Sequence, residues 1–246
     1  MDKKEKILIT GATRGMGKAI ANVLAQKGYH VIIGARKIQD GNDIVKNLKE
    51  KGLSASTVQL DVTDPDSISN ARQSIESLDI LINNAGVALD NAKPSEINIE
   101  MTKKEFDVNV FGVMNVSTIM IDLLKNSDSA KIINMSSIMG SLTESLDKNS
   151  PIYSVSVAGY QASKSALNMY SIQLAKEFEK DGIDISVDLV DPGMVATEFG
   201  GLDPEIARQM GARPIEEGIQ RVIELVESDK NDKTITYTNN QGTVSW

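Results

Sequence analysis

The chain has 246 residues with 41% hydrophobic content, and its 34 acidic and 26 basic residues give a net charge of -8. That size suits one domain with a large core, and the acidic balance argues against DNA, RNA or an anionic membrane as a partner. With no cysteine and one histidine, His30, the chain has no means for a disulfide framework, a thiolate site or a poly-histidine metal site, and a Ser-His-Asp triad is disfavoured.

The amino terminus runs from Met1 to Lys6 straight into Ile7-Leu8-Ile9. That run is too short for a secretory h-region and no cleavage pattern follows it. No apolar stretch is read as reaching membrane-spanning length, so a cytoplasmic protein is expected. Ile7 to Ile9 reads as a buried parallel strand that stops at Thr10-Gly11. A helix is expected from Gly17 to Lys27, with Gly28 as its stop. His30 to Ala35 is a second strand, Asp43 to Lys51 a helix, and Ala55 to Leu60 a third strand. Asp64 caps a helix through Ser77, with Pro65 in its first turn. Asp79 to Ile82 is a fourth strand, and a loop follows from Val87 to Met101.

Thr102-Lys103-Lys104-Glu105 has the capping-box form and opens a long helix to Lys125. Lys131 to Met135 is a fifth strand. Ser136 to Val157 is irregular, Gly159 to Asp181 is a long helix, and Ile183 to Val190 is a sixth strand. Residues 203–228 hold one or two helices around Pro214, and Thr234 to Tyr237 is a last strand. Short apolar strands alternating with helices imply an α/β fold with a parallel sheet covered on both faces. Sites in such sheets lie beyond the carboxyl ends of the strands. Here those ends are the segments from Gly11, Arg36, Asp61, Asn83, Ser136 and Asp191 onward.

Thr10-Gly11-Ala12-Thr13-Arg14-Gly15-Met16-Gly17 sits between the first strand and first helix. Glycines there allow a tight turn and close approach to a pyrophosphate, whose charge the helix start favours. At the end of the second strand, Gly34-Ala35-Arg36-Lys37 lacks the acid that would bind a ribose 2′-hydroxyl. Arg36 and Arg14 come from adjacent strand ends and suit a 2′-phosphate, so NADP(H) is the expected cofactor. Tyr160 and Lys164 are four apart on one helix, the only such pair among the five tyrosines. An ammonium at that distance favours the phenolate, which suits proton transfer.

These segments, together with Asn83-Asn84-Ala85-Gly86, Asn109, Ser137 and Pro192-Gly193-x-Val195-x-Thr197, resemble the short-chain dehydrogenase/reductase family over essentially the whole chain. The gap in the glycine motif resembles the single-domain branch. The resemblance implies a Rossmann-type doubly wound parallel sheet of about seven strands, with residues 1–246 as one domain. It implies NADPH-dependent reduction of a ketone or aldehyde, a small-molecule partner and no metal. Tyr160 would donate a proton, Lys164 would lower its pKa and bind the nicotinamide ribose, and Ser137 would polarise the carbonyl. Asn109 would hold a relay water. Gly11, Thr13, Arg14, Gly15, Met16 and Gly17 would form the cofactor loop, with Arg36 at the ribose phosphate. Asp61 and Val62 would contact adenine, and Asn84, Ala85 and Gly86 the adenosine ribose side. Pro192, Gly193, Val195 and Thr197 would close over the carboxamide.

The adjacent Ser136 and Ser137 point opposite ways, and the family pattern favours Ser137 while leaving Ser136 a share. Met139, Met194 and Phe199 either border a substrate or simply fill space. The 23-residue gap from Ser137 to Tyr160 and the tail ending in Trp246 resemble the monomeric carbonyl reductases. In those proteins the longer segment covers a helix face used elsewhere for dimerisation, so a monomer or dimer is expected. Other readings are a dedicated biosynthetic ketoreductase or alcohol dehydrogenase, including the 3-oxoacyl reductase type, and a non-catalytic NADP(H)-binding regulator. Retention of Ser137, Tyr160, Lys164 and Asn109 counts against the last.

Overall fold

A computed structural model describes residues 4–229 and 235–246. The described strands form one eight-stranded sheet in the order β3-β2-β1-β4-β5-β6-β7-β8. They are β1 (Lys6–Thr10), β2 (His30–Ala35), β3 (Ala55–Gln59), β4 (Ile80–Asn83), β5 (Lys131–Met135), β6 (Ser186–Val190), β7 (Thr236–Asn239) and β8 (Gly242–Thr243). Pairings through β7 are parallel and β8 returns antiparallel. The count therefore exceeds the expected seven by a two-residue strand too short to leave a periodic signal. The start expected for the last strand, Thr234, lies outside the described residues.

Side-chain alternation along each strand sends apolar residues to both faces. Ile7, Ile9, Val31, Ile33, Ile80, Ile82 and Ile133 pack under helices α1 (Gly15–Gln26), α2 (Ile38–Glu50) and α9 (Ile215–Glu227). Leu8, Ile32, Leu81 and Ile132 pack on the other face. There they meet α3 (Pro65–Ser74), α5 (Val113–Leu124) and α7 (Ala158–Asp181). Such doubly buried strands read as continuous apolar runs, and that is how they were legible.

The long helix starts earlier than the capping box implied. Asn98 is its N-cap and accepts from Met101 N at 3.1 Å. The run is α4 (Ile99–Phe106), a π-helical turn (Asp107–Gly112) and then α5. At 26 residues with mean hydropathy 1.3 over its most apolar window, the run from Ile99 to Leu124 is long and apolar enough to cross a membrane on composition alone. This corrects the expectation from sequence. Half of that window is buried inside the protein, as for a core helix.

Residues 203–228 form two helices, α8 (Pro204–Gln209) and α9. The expected irregular stretch after β5 contains a short helix, α6 (Leu142–Leu146). Tyr153 and Val155 of that stretch are exposed, and Ile99, Phe111 and Met169 also stay exposed on the neighbouring helical elements.

Candidate active site

The strand order reverses direction between β1 and β4, and the chain leaves both strands there through polar turns. Thr10, buried at the end of β1, accepts hydrogen bonds at its hydroxyl from Asn84 N and Ala85 N, both 3.0 Å. Asn84 Nδ2 in turn donates to Thr10 O at 2.9 Å and Gly11 O at 3.2 Å. The two turns are thus laced together, and the packing leaves no room for side chains. A Cβ on Gly17 would lie 2.5 Å from Asn84 Nδ2 and 2.6 Å from Gly11 O. Gly11 and Gly15 have φ of +63° and +53°, the left-handed region that glycine occupies without strain. Arg14 is the extended N-cap of α1 and offers no side-chain cap. The first N–H groups of α1 therefore have no side-chain partner and suit an anion. Thr13 and Met16 are half-buried beside them, Met16 against the core.

At the end of β2, Arg36 is exposed, and among the described residues no ion pair holds it. Arg14 instead reaches Glu198 Oε2 at 3.4 Å on the opposite wall, an exposed pair worth little by itself. Asp61 spends one carboxylate oxygen on Thr63 N and Thr63 Oγ1, at 3.0 and 2.7 Å. Val62 is buried against the π-helical turn, where a Cβ on Gly112 would come within 2.8 Å of it.

The segment after β6 is held as a turn. Asp191 Oδ1 accepts from Gly193 N at 3.0 Å, and Pro192 is buried. The Val195 side chain packs on α9, where a Cβ on Gly218 would meet it at 2.5 Å. Thr197 accepts from Phe199 N at 3.3 Å and lies beside Gly15. The Phe199 ring then stands edge-on to the Tyr160 ring, with centroids 5.9 Å apart. Met194 stays exposed and Met139 half-buried.

Tyr160 and Lys164 share one face of α7, as their spacing requires. Lys164 is 4% exposed and donates from Nζ to Met135 O at 2.7 Å. Its Nζ is 5.6 Å from the centre of the Tyr160 ring. Burial lowers the ammonium to about 8. Burial also holds the Tyr160 phenol well above its ordinary value; a hydrogen bond with Ser137 draws it down, and Asp191 and Glu105 push it up.

The two serines after β5 diverge. Ser136 points inward and donates to the buried Asn168 Oδ1 at 2.5 Å. Ser137 takes the other side, toward Tyr160, with its hydroxyl also accepting from Met139 N at 3.3 Å. Asn109 sits in the π-helical turn, an irregularity often found at functional sites. Its Oδ1 accepts from Val87 N at 2.9 Å, and its Nδ2 donates to Val87 O at 2.8 Å and Ser163 Oγ at 3.0 Å.

Several supporting residues went unread in the sequence. Ser163 lies inside the Tyr160-to-Lys164 motif and donates to Tyr160 O at 2.7 Å, so it links Asn109 to α7. Tyr237 of β7 donates from its hydroxyl to Ser137 O and packs its ring at a tilt against that of Trp246, centroids 5.3 Å apart. Arg213 lies against Gly193, whose Cβ would sit 3.1 Å from the guanidinium. Only Ser163 carried a local signal; the others are brought in by tertiary contact. A polar cavity of about 160 Å³, lined by Lys6, His30 and Ser56 among others, lies at the amino end of the strands, away from this cleft.

The profile of the family described as short chain dehydrogenase matches residues 5–205. A short-chain dehydrogenase of Penicillium roqueforti is 34% identical over 86% of this chain and 87% of its own length. An NADP-dependent 3-hydroxy acid dehydrogenase of Schizosaccharomyces pombe is 34% identical over 78% of this chain and 72% of its own. An alcohol dehydrogenase from the archaeon Thermococcus sibiricus, solved in complex with 5-hydroxy-NADP, superposes with a TM-score of 0.81 at 25% identity. That superposition covers 96% of both chains.

Proposed function

The chain belongs to the short-chain dehydrogenase family, an oxidoreductase acting on carbonyl or alcohol groups, and from that premise we propose that it reduces a ketone or aldehyde with NADPH. Residues 1–246 are taken as one domain in the cytoplasm, acting on a small molecule. The observation that carries the reading is the buried contact of Lys164 with Tyr160 beside Ser137, with Ser136 turned into the core.

The residues present fit a dinucleotide. The turns after β1 and β4 are packed so closely that only glycine fits at positions 11 and 17, and the start of α1, free of side-chain caps, is open to a pyrophosphate. Arg36 would hold a 2′-phosphate, with Arg14 joining it once released from Glu198. One similar dehydrogenase is named NADP-dependent and a similar alcohol dehydrogenase was solved with 5-hydroxy-NADP, in agreement with those arginines. A nicotinamide held there would supply hydride for the carbonyl carbon.

The remaining work falls to this chain. Ser137 donates a hydrogen bond to the carbonyl oxygen, where negative charge develops. Tyr160 gives that oxygen its proton. A phenol held above its ordinary pKa by burial is protonated when the substrate arrives, as a proton donor must be. Lys164 stabilises the phenolate left behind and would bind the nicotinamide ribose. Asn109 keeps a second lone pair on Oδ1 beyond the bond to Val87, enough for a water in the path that reprotonates Tyr160. Phe199, packed on the Tyr160 ring, borders the substrate.

A second reading, oxidation of 3-hydroxy acids with NADP⁺, is favoured by the Schizosaccharomyces pombe relative. One assay separates the two. NADPH consumption is followed over aldehydes, ketones and diketones, with NADH in parallel, and NADP⁺ reduction is followed over 3-hydroxy acids. Reduction of carbonyls with NADPH preferred is the expected result. Tight NADPH binding with silence on every substrate would contradict the enzyme reading.

A further inference from the structure

A charged residue outside the chemistry just described lies wholly inside the protein next to it. Glu105, in the last turn of α4, has no exposed surface. Its Oε1 accepts from Leu89 N at 2.7 Å and from Asp90 N at 3.3 Å. Its Oε2 is buried with no hydrogen-bond partner among the described residues. That oxygen lies against the start of α7, where a Cβ on Gly159 would come within 2.3 Å of it and 2.8 Å of Thr102 Oγ1. Gly159 immediately precedes Tyr160. Val157, the N-cap of α7, gives no side-chain cap, so the first-turn N–H groups lack a side-chain partner. A half-paired buried carboxylate is costly unless its surroundings compensate. Here two backbone N–H groups and the positive end of α7 do so.

We propose that Glu105 is a positioning residue for Tyr160: it fixes the first turn of α7 against residues 87–90 and holds its carboxylate against Gly159, the residue before Tyr160. The proposal rests on Tyr160 being the proton donor. Glu105 and Asn109 are one turn apart on the same helical run, and both reach the same loop. Asn109 holds Val87 at N and O, and Glu105 holds the next two residues but one. The run also braces α7 twice, through Ser163 and at Gly159.

The charged and titratable groups around the phenol come from every neighbouring element. They are Lys164 on α7, Asp191 at the end of β6, Tyr237 on β7 and Glu105 on α4. Glu105 and Asp191 oppose Lys164, which keeps the phenol protonated until the reaction needs its proton.

The test is Glu105→Gln, which keeps the shape and the Oε1 acceptor and removes the charge. Three quantities are compared with wild type: the pH dependence of kcat/KM for carbonyl reduction, NADPH affinity by fluorescence, and Tm. The alkaline limb of the profile is expected to move to lower pH by about half a unit to one unit, the size of one charge in a site of effective dielectric ~20. NADPH affinity is expected to stay within about twofold, because among the described residues no hydrogen bond or ion pair joins Glu105 to the cofactor loop. A limb that stays in place overturns the proposal. If Glu105→Gln does not accumulate as folded protein, Glu105→Asp carries the test, since it keeps the charge and shortens the reach. Its limb is expected to stay and its kcat to fall about tenfold from misplacement of Tyr160; a wild-type kcat overturns the proposal. A wild-type enzyme that reduces no carbonyl would overturn the proton-donor reading and this proposal with it. Wild-type reduction with an unmoved Gln limb strikes this proposal alone.

Discussion

Replacing Lys164 with Met removes one charge from the centre of the site and little volume. The ammonium lies 5.6 Å from the Tyr160 ring centre. At an effective dielectric of ~20, a charge at that distance stabilises a phenolate by about 3 kcal/mol, or roughly two pKa units. Lys164→Met is therefore expected to slow alcohol oxidation with NADP⁺ about 100-fold at neutral pH, where Tyr160 must act as a base. The rise of that rate with pH should move upward by about two units. In wild type the ammonium itself fades above about 8, where burial has placed its pKa, so the contrast with Lys164→Met is largest below that pH. Loss of the bond to Met135 O leaves a buried acceptor, a cost of ~1–3 kcal/mol, and relief of a buried ammonium offsets it. Urea unfolding should show the variant folded, which excludes unfolding as the cause. An unchanged pH profile with only the KM for NADP⁺ raised would refute the electrostatic role and leave Lys164 as a ribose clamp.

The two serines after β5 should separate cleanly. Ser136→Ala is expected to cost ~1–3 kcal/mol of stability by orphaning Asn168 and to leave kcat close to wild type. Ser137→Ala should leave stability alone and lower kcat about 100-fold; paired melting and turnover measurements check both. Arg36→Asp should weaken NADPH at least tenfold while NADH changes little, measured by fluorescence titration. Equal effects on the two would place the 2′-phosphate elsewhere. His30 bonds Ser54 and Ser56 at 2.8 and 2.9 Å. Its pKa is lowered by burial first, then by the charges of Lys6, Lys49 and Lys4. The unfolded chain therefore binds more protons just below pH ~6.5, and stability should fall as pH drops through that value toward the folded pKa. Urea midpoints for wild type and His30→Gln check this, and parallel pH trends in both would refute it.

Much of this architecture was legible because each strand is a short apolar run that ends in a chemically distinctive turn. Ile7-Leu8-Ile9 before the glycine loop, and the apolar run to Ile82 before Asn83-Asn84, marked two of the six strand ends, whereas the reversal of strand order between β1 and β4 rests on pairings that sequence does not show. The start of the long helix was misread because Thr102 and Glu105 imitate a capping box. In the structure Asn98 caps the helix, Thr102 Oγ1 turns back to Asn98 O, and Glu105 goes inward. The π-helical turn at Asn109 leaves no trace in composition, since it is a change of hydrogen-bond register within an apolar helix. Strand alternation showed that Ser136 and Ser137 diverge, and only Asn168, 32 residues further on, showed which one is buried. The contact of Arg14 with Glu198, 184 residues away, left no trace in the sequence.

The most direct test of the account is Tyr160→Phe, assayed for NADPH binding and for NADPH-dependent reduction of the best carbonyl substrate of the wild type. The ring contact with Phe199 and the fold are retained while the hydroxyl is lost. NADPH affinity is expected to stay within about threefold and turnover to fall by at least about 1,000-fold, as for loss of the group that carries the proton. Turnover equal to wild type would contradict the assignment of Tyr160 as the proton donor and the mechanism built on it.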